Sequence, residues 1–195
     1  MPRRAKVRPE EAGGERVLAA GRELFAERGY HATSIADIGE RAGIAKSVLY
    51  HHFGSKAQLY EAIVEAETRD LIERVRDAVP TRPGASRLRP GVEAYLGFLA
   101  ERPAAWRLLL RDPPAEPALI AVHERLSEQR AAALAELLAT PGKRLRQDPH
   151  LDLTATAIRA FAAWWYQHRD VPREQVVEAI LDVARAGARR LTAAA

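Results

Sequence analysis

The 195-residue chain contains no cysteine, and its single methionine is the first residue. Without thiols it can form neither disulfide bonds nor thiolate metal sites. No stretch reaches the roughly 18 consecutive apolar residues of a membrane-spanning helix. The basic first residues are not followed by the apolar core of a signal peptide. These absences argue against a disulfide-rich secreted protein and a membrane protein, and we expect a cytoplasmic one.

Signals of β-structure are also nearly missing. The chain shows no sustained alternation of apolar and polar residues and no Asn-Gly or Asp-Gly turn, while Ala, Leu, Arg and Glu are abundant. We therefore predict an all-α fold of about nine helices. The formal net charge of +4 is compatible with a nucleic-acid partner but does not by itself indicate one.

Apolar residues at three-and-four spacing, together with glycine and proline breaks, place the helices along the chain. Ser34 with Asp37, and Ser55 with Gln58, have the spacing of capping boxes. The first dozen residues look disordered, and their basic side chains suit either a solvated tail or a DNA-binding arm. The predicted helices end at Gly29 and then cover 34–42, 45–52, 55–79, 86–102, 103–111, 116–139, 150–169 and 172–192.

The segment "GIAKSVLYHHFGSK" at residues 43–56 combines apolar anchors with polar and aromatic side chains. Leu49 and Phe53, four residues apart, can hold a short helix against the core. The other faces then carry side chains suited to phosphates or base edges: Lys46, Ser47, Val48, Tyr50 and His51. With the preceding helix and the tight turn "AGIA", this segment fits a helix-turn-helix.

A metal site is not predicted in this segment. His51 and His52 are adjacent, so their side chains point about 100° apart on a helix. The chain also has no cysteine to complete a site. We predict no metal and no cofactor.

Residues 16–60 resemble the N-terminal domain of TetR-family transcriptional repressors. The motifs "LFAERGY", "TSIADI", "AGIAKSVLYHHF" and "SKAQLY" carry this resemblance. It implies a homodimer, with a DNA-binding domain over residues 1–55 and a helical ligand-binding and dimerisation domain over 56–195. It also implies phosphate contacts from Tyr50 and Lys56, a DNA contact where Thr33 and Ser34 begin the second helix, and a groove-facing role for Lys46, Ser47, Val48 and His51.

Two positions depart from the family pattern. Ala45 stands where a hydroxyl residue is common, and Gly39 stands where alanine is common. We expect each change to cost about 1 kcal/mol of helix stability. The preferred DNA sequence can therefore differ from that of relatives.

Aromatic residues in the C-terminal two thirds suit an apolar ligand cavity with polar edges, although each of them suits a packed core equally well. His123, Gln129 and Arg159 are candidate polar lining. The candidate ligand-binding residues are Tyr95, Phe98, Trp106, His123, Phe161, Trp164 and Trp165.

The last two predicted helices carry broad apolar stripes. Small residues there would let helices of two subunits approach closely, although the same stripe suits an intramolecular core. The residues predicted for a dimer interface are Ile158, Ala162, Trp165, Val177, Ile180, Leu181, Ala184 and Ala188.

These patterns predict a sequence-specific DNA-binding regulator. We expect a repressor whose dimer places two recognition helices in successive major grooves of a near-palindromic operator, about 34 Å apart, until a small-molecule inducer releases it. An architectural DNA-binding protein that needs no ligand is the main alternative. A helical enzyme is disfavoured because the chain has no phosphate-binding loop, dinucleotide fingerprint or nucleophile elbow.

Overall fold

The computed structural model describes residues 9–82, 85–110, 113–138 and 149–192. Every regular element in these ranges is an α-helix, which confirms the predicted fold class. In chain order the helices are α1 (Pro9–Arg28), α2 (Ile35–Ala42), α3 (Lys46–Phe53), α4 (Lys56–Ala78), α5 (Leu88–Glu101), α6 (Pro103–Leu110), α7 (Pro117–Leu138), α8 (Pro149–Gln167) and α9 (Arg173–Thr192).

Four of the described helices have a proline as their first residue. Pro9, Pro103, Pro117 and Pro149 are the first residues of α1, α6, α7 and α8. Proline fits this position because the first amides of a helix have no partner within the helix. Two expectations are corrected as a result: residues 9–12 are helical rather than disordered, and α8 starts where a loop was predicted. The basic residues Arg3, Arg4, Lys6 and Arg8 lie outside the described residues.

The two expected capping boxes differ in the structure. At Ser34 both halves are present, because the Ser34 hydroxyl accepts from the Asp37 amide and the Asp37 carboxylate accepts from the Ser34 amide. At Ser55 the hydroxyl accepts from the Gln58 amide at 3.2 Å. The Ser55 amide, however, donates to the Phe53 carbonyl, so the second half of that box does not form.

Helix α4 is the central support of the described fold. It packs against α1 on one side and against α5, α6 and α7 on others. Its buried residues Ile63 and Leu71 belong to a continuous apolar core that also contains Leu24 of α1 and Ile180 of α9. The predicted domain boundary falls at Ser55, the N-cap of α4. Helices α1 and α3 pack on α4, and α2 packs on α1 and α3.

Glu67 of α4 lies within this core. One of its carboxylate oxygens accepts from Arg22 of α1 at 2.7 Å, and the other lies 3.6 Å from Arg102 after α5. Arg102 also pairs with Asp70 at 2.7 Å. The buried carboxylate therefore ties the N-terminal helix to the C-terminal part of the fold.

Most of the residues predicted for a dimer interface face the interior of their own subunit. Helices α8 and α9 pack on each other, and α9 packs on α5. A side chain that is already buried in one chain has no surface to offer a second. The buried residues are Ile158, Ala162, Trp165, Val177, Ile180, Leu181 and Ala184; Ala188 lies beyond the described side chains of α9.

Candidate nucleic-acid interface

The turn between α2 and α3 is tight and depends on two glycines. Gly43 adopts a left-handed conformation at φ 67°, and its amide donates to the last carbonyls of α2. The Ile44 amide then donates to the Gly39 carbonyl at 2.8 Å. A Cβ on Gly39 would lie 2.6 Å from the Ile44 oxygen. Glycine at this position thus permits a close approach, and the expected gain from alanine is offset.

Leu49 is almost fully buried and orients α3. With a rotation of about 100° per residue, Ser47 and His51 lie one turn apart on the side opposite Leu49 and Phe53. Lys46 and Tyr50 form one flank of this exposed side, and the Lys46 ammonium lies 5.6 Å from the centre of the Tyr50 ring. The resulting surface, called the α3 face below, consists of Lys46, Ser47, Val48, Tyr50 and His51, all of them exposed.

The other flank of α3 contains a residue that was not proposed as a DNA contact. Val48 and His52, four residues apart, border a groove against Gly13 and Arg16 of α1. His52 is exposed and lies on the same side of α3 as Val48, so its side chain could contact the same DNA. The four-residue spacing from Val48 is the sequence signal that could have identified it.

The N-terminus of α3 is uncapped, as the alanine at position 45 led us to expect. Ala45 makes no side-chain capping hydrogen bond, and the first turn of α3 carries no acidic residue. The Val48 amide donates to the Ala45 carbonyl at 3.0 Å, so the amides of Lys46 and Ser47 are the ones that a phosphate group could bind, and the helix dipole also attracts it. In α2 the side chain of Ser34 occupies the corresponding place.

Thr33 is a structural residue, which corrects its assignment to DNA binding. Its side chain is only 1% exposed. The hydroxyl lies 2.9 Å from the Gly29 carbonyl and 3.2 Å from the Leu24 carbonyl, at the end of α1. It therefore connects the end of α1 to the start of α2 and cannot reach DNA.

Ser34 is exposed, but its hydroxyl is already engaged. The oxygen accepts from the Asp37 amide at 3.1 Å and lies 2.8 Å from an Asp37 carboxylate oxygen. The hydrogen bond from the Ser34 backbone, followed by that from its side chain, lowers the pKa of Asp37 below its usual value. A phosphate that contacts Ser34 would meet this anionic carboxylate.

Lys56 also serves the fold. Its ammonium donates to the Tyr30 carbonyl at 3.0 Å and to the Thr33 carbonyl at 3.1 Å. It also lies 4.1 Å from the centre of the Tyr30 ring. Since an ammonium has three N–H donors, one remains for a phosphate. Lys56 thus holds the turn before α2 against the start of α4.

The predicted ligand residues do not form one site. Phe98, Trp106 and Trp165 are buried in the core; the Trp106 ring stacks on Tyr166, and the Trp165 indole donates to a backbone carbonyl. His123 contacts Tyr60 at 2.7 Å. Phe161 and Trp164 border an outward-facing hollow of about 470 Å³ between α8 and α9.

Tyr95 is the one predicted ligand residue that lines the cavity between α5, α7 and α8. This α7–α8 cavity has a volume of about 280 Å³. Arg159, proposed as polar lining, also borders it, whereas His123 and Gln129 do not. Its lining residues include Tyr95, Ser127, Glu128, Arg130, Ala131, Leu134, Ile158 and Arg159. Arg130 had not been identified, because no pattern marks an arginine as buried.

Comparison with known proteins identifies the group to which these features belong. The family described as "Bacterial regulatory proteins, tetR family" matches residues 17–63. Over 191 residues the chain is 30% identical to the HTH-type transcriptional activator FasR of Mycolicibacterium smegmatis, covering 95% of this chain and 87% of the relative. The chain belongs to the TetR family.

Two further comparisons concern the N-terminal region and the fold. The HTH-type transcriptional repressor KstR2 of Rhodococcus jostii is 45% identical over 63 residues, or 32% of this chain and 31% of the relative. The crystal structure of the regulator FadR from Bacillus subtilis in complex with stearoyl-CoA matches with a TM-score of 0.73 at 17% identity. That match covers 89% of this chain and 98% of FadR and shows a shared fold.

As a TetR-family member, the protein is a DNA-binding transcriptional regulator and not an enzyme. Within the ranges that the structure describes, no cluster of three or more His, Cys, Asp or Glu side chains could hold a metal ion. None of the helices described there is long and apolar enough to cross a membrane.

Proposed function

We propose that this TetR-family regulator binds a near-palindromic operator as a homodimer, with one α3 face in each of two successive major grooves. The α3 face is the observation that carries the proposal. It projects from a helix anchored by Leu49, and its outermost residues Ser47 and His51 are separated by one turn, so both can reach neighbouring base edges.

Within that complex the residues have different tasks. Tyr50 and the uncapped amides of α3 bind phosphates, which positions the helix but reads no sequence. Lys46, Ser47 and His51 read base edges, and Val48 supplies an apolar contact. Lys56 adds at most one hydrogen bond to a phosphate. The Ser34 hydroxyl is a secondary contact because it already bonds to Asp37.

The proposed dimer contact is the outer surface of α8 and α9, which is exposed in the single chain. Trp164 is 46% exposed although it is large and apolar. It borders the hollow between α8 and α9 together with Phe161, Val171 and Ala179. A symmetry-related copy of the same surface could fill this hollow, because a two-fold interface brings the same patch of both subunits together.

The α7–α8 cavity is the proposed site of a regulatory small molecule. Its volume lies near the lower end of the range of ligand sites. Arg107 of α6 supports a connection to the DNA-binding helices, because it donates to the Ala26 carbonyl of α1 at 3.0 Å and to the Tyr166 hydroxyl of α8 at 3.1 Å. A ligand regulates DNA binding only if it prefers one state, and each 1.4 kcal/mol of preference changes the ratio about tenfold.

Repression released by an inducer remains our proposal for the direction of control. KstR2 is named a repressor and FasR an activator, so related DNA-binding domains occur in proteins with opposite effects. A regulator of chromosomal genes would act in the cytoplasm.

Selection of genomic fragments with the purified protein, followed by footprinting, tests the function. We expect a protected near-palindrome. Tyr50→Phe should weaken binding to all sequences by a similar factor, roughly tenfold, because it removes a charge-assisted hydrogen bond. His51→Ala should in addition change the preferred bases.

Arg74→Ala is the control for these variants, because Arg74 of α4 is exposed and pairs only with Glu101 among the described residues. It should bind the operator like the wild type. Equal affinity of the wild type for the selected and scrambled sequences would instead favour the architectural alternative.

A further inference from the structure

Two arginines converge on one hydroxyl group in the α7–α8 cavity. Arg130 of α7 is only 4% exposed, and its guanidinium lies 3.5 Å from the Ser127 hydroxyl oxygen. Arg159 of α8 donates to the same oxygen at 3.1 Å. Both arginines line the cavity.

Neither arginine forms an ion pair with a described carboxylate. In most of the ion pairs that the structure describes, by contrast, the cation is an arginine paired with Asp or Glu. Glu128 borders the same cavity, but its carboxylate is not within ion-pair distance of Arg130 or Arg159. Arg130 instead donates to the Leu109 carbonyl at 3.1 Å. This hydrogen bond satisfies one N–H donor of the guanidinium and supplies no negative charge.

Such an arrangement is unfavourable in the absence of a counter-ion. Burial lowers the pKa of Arg130; Tyr95 partly opposes this shift, and the positive charge of Arg159 adds to it. A buried charge is normally paired, because leaving it unpaired costs several kcal/mol. Among the side chains that the structure describes, none supplies an anion to Arg130.

The rest of the cavity is suited to an apolar group. Its walls include Ala131, Leu134 and Ile158, together with the ring of Tyr95. Arginine binds carboxylates and phosphates through two parallel N–H donors. The cavity therefore combines two cationic side chains with a largely apolar wall, and Glu128 is the acidic residue among its described lining.

We propose that the α7–α8 cavity binds a small amphiphilic anion, whose carboxylate or phosphate group lies between Arg130 and Arg159 and whose apolar part contacts Leu134, Ile158 and Tyr95. This proposal rests on the proposed function, since it names the chemical class of the regulatory ligand. Both head groups offer the oxygens that two guanidinium groups require.

Four probes are titrated into the purified protein, and their binding is measured by calorimetry and by the change in Tm. Together they separate the effect of charge from the effect of shape. Octanoate and octyl phosphate carry the two candidate head groups, octanol is their neutral counterpart, and inorganic phosphate lacks the apolar part. We expect at least one of the amphiphilic anions to bind roughly tenfold or more tightly than octanol. Equal binding of octanol would overturn the proposal, as would equal binding of inorganic phosphate.

A matched pair of variants assigns the anion to the cavity. Arg159→Gln should weaken binding of the preferred anion roughly tenfold, because one charged donor is lost. Arg125→Gln changes an arginine of α7 that pairs with Glu61 and Glu65 outside the cavity. It should bind the anion like the wild type. Unchanged binding in Arg159→Gln would contradict the assignment.

Arg130→Met separates a ligand-binding role from a structural one. If Arg130 binds the anion and is an unpaired charge in the free protein, an apolar side chain of similar size should raise the Tm of the free protein and abolish anion binding. If Arg130 only stabilises the fold through its hydrogen bond to the Leu109 carbonyl, the variant should have a lower Tm and should still bind the anion. The second result would overturn the proposal.

DNA binding is measured in the same samples so that the two proposals fail separately. Anion binding without any change in affinity for the selected operator would overturn the regulatory part. Anion binding by a protein that selects no operator would instead remove the proposed function and leave the cavity assignment supported.

Discussion

The hydroxyl group of Tyr60 lies 2.7 Å from Nε2 of His123, and the two rings stack with their centroids 5.6 Å apart. This contact joins α4 to α7. On its other side the Tyr60 ring meets Tyr30 edge to face at 5.4 Å, and Tyr30 covers the ammonium of Lys56. Aromatic contacts thus run from α7 to the turn that precedes α2. His123, predicted to line a ligand cavity, belongs to this connection.

The stability of the fold should depend on pH through His123. Burial, followed by the charge of Arg130, lowers the pKa of His123 below its ordinary value of 6.5. The unfolded chain therefore binds a proton more readily at this position, and stability decreases as the pH falls below about 6.5 toward the lower folded-state pKa. We expect Tm to decrease between about pH 8 and about pH 5, as measured by circular dichroism.

The variant His123→Gln should reduce this pH dependence, because its side-chain amide can form a hydrogen bond with Tyr60 but does not titrate. His52→Gln removes an exposed histidine of α3 and should retain the dependence. If both variants follow the wild-type curve, His123 does not control the effect.

The buried carboxylate of Glu67 predicts unequal effects for two arginine variants. Arg22→Met removes the 2.7 Å partner of a carboxylate that is 5% exposed. It should lower the free energy of unfolding by about 3 kcal/mol, since the charge left behind is buried. Urea denaturation measures this change.

Arg74→Met supplies the comparison on the surface. Arg74 pairs with Glu101 at 3.0 Å, and both side chains are about half exposed. Its loss should cost less than about 1 kcal/mol. Similar costs for the two variants would show that Arg22 and Glu67 interact no more strongly than a solvated pair.

Local signals in the sequence predicted the helices and the α3 face well. The capping box at Ser34, the left-handed turn at Gly43 and the spacing of Leu49 from Phe53 depend on residues within a few positions of each other. Their geometry follows from helix periodicity and backbone sterics. The sequence did not predict which of the neighbouring residues Thr33 and Ser34 has the buried hydroxyl, because a shift of one position exchanges their environments.

Features that depend on distant segments were predicted poorly. The apolar stripe of α9 could cover a partner subunit or its own core, and the choice depends on α5, which lies about 80 residues earlier in the chain. The same holds for Arg130, whose environment is made by α6 and α8. Pattern in one helix cannot specify what packs against it.

Two glycines should respond to alanine in opposite ways. Gly43 has a left-handed backbone and no heavy atom within 3.4 Å of an added Cβ, so Gly43→Ala should cost about 1 kcal/mol through backbone strain alone. Gly43→Asn should cost less, because asparagine tolerates this conformation. Gly14 lies in α1 with open space around it, and Gly14→Ala should add about 0.5–1 kcal/mol. Thermal unfolding distinguishes the three, and a stabilising Gly43→Ala would contradict the turn geometry.

The proposed dimer contact predicts that two apolar residues of α8 and α9 respond differently to a charge. Trp164→Glu should convert the proposed dimer to a folded monomer, because Trp164 is 46% exposed in the single chain. Leu181→Arg should instead unfold the protein, since Leu181 is 3% exposed and an unpaired charge there costs more than about 3 kcal/mol. Sedimentation reports the mass and circular dichroism the helix content.

Val48→Glu is the control for the introduced charge, because Val48 is 43% exposed on α3, away from both helices. It should leave the mass of the dimer unchanged. A folded, monomeric Leu181→Arg would return the interface to the inner stripe of α9. A dimeric Trp164→Glu would place the subunit contact on another surface, since a carboxylate buried without a partner would destabilise an interface that contained it.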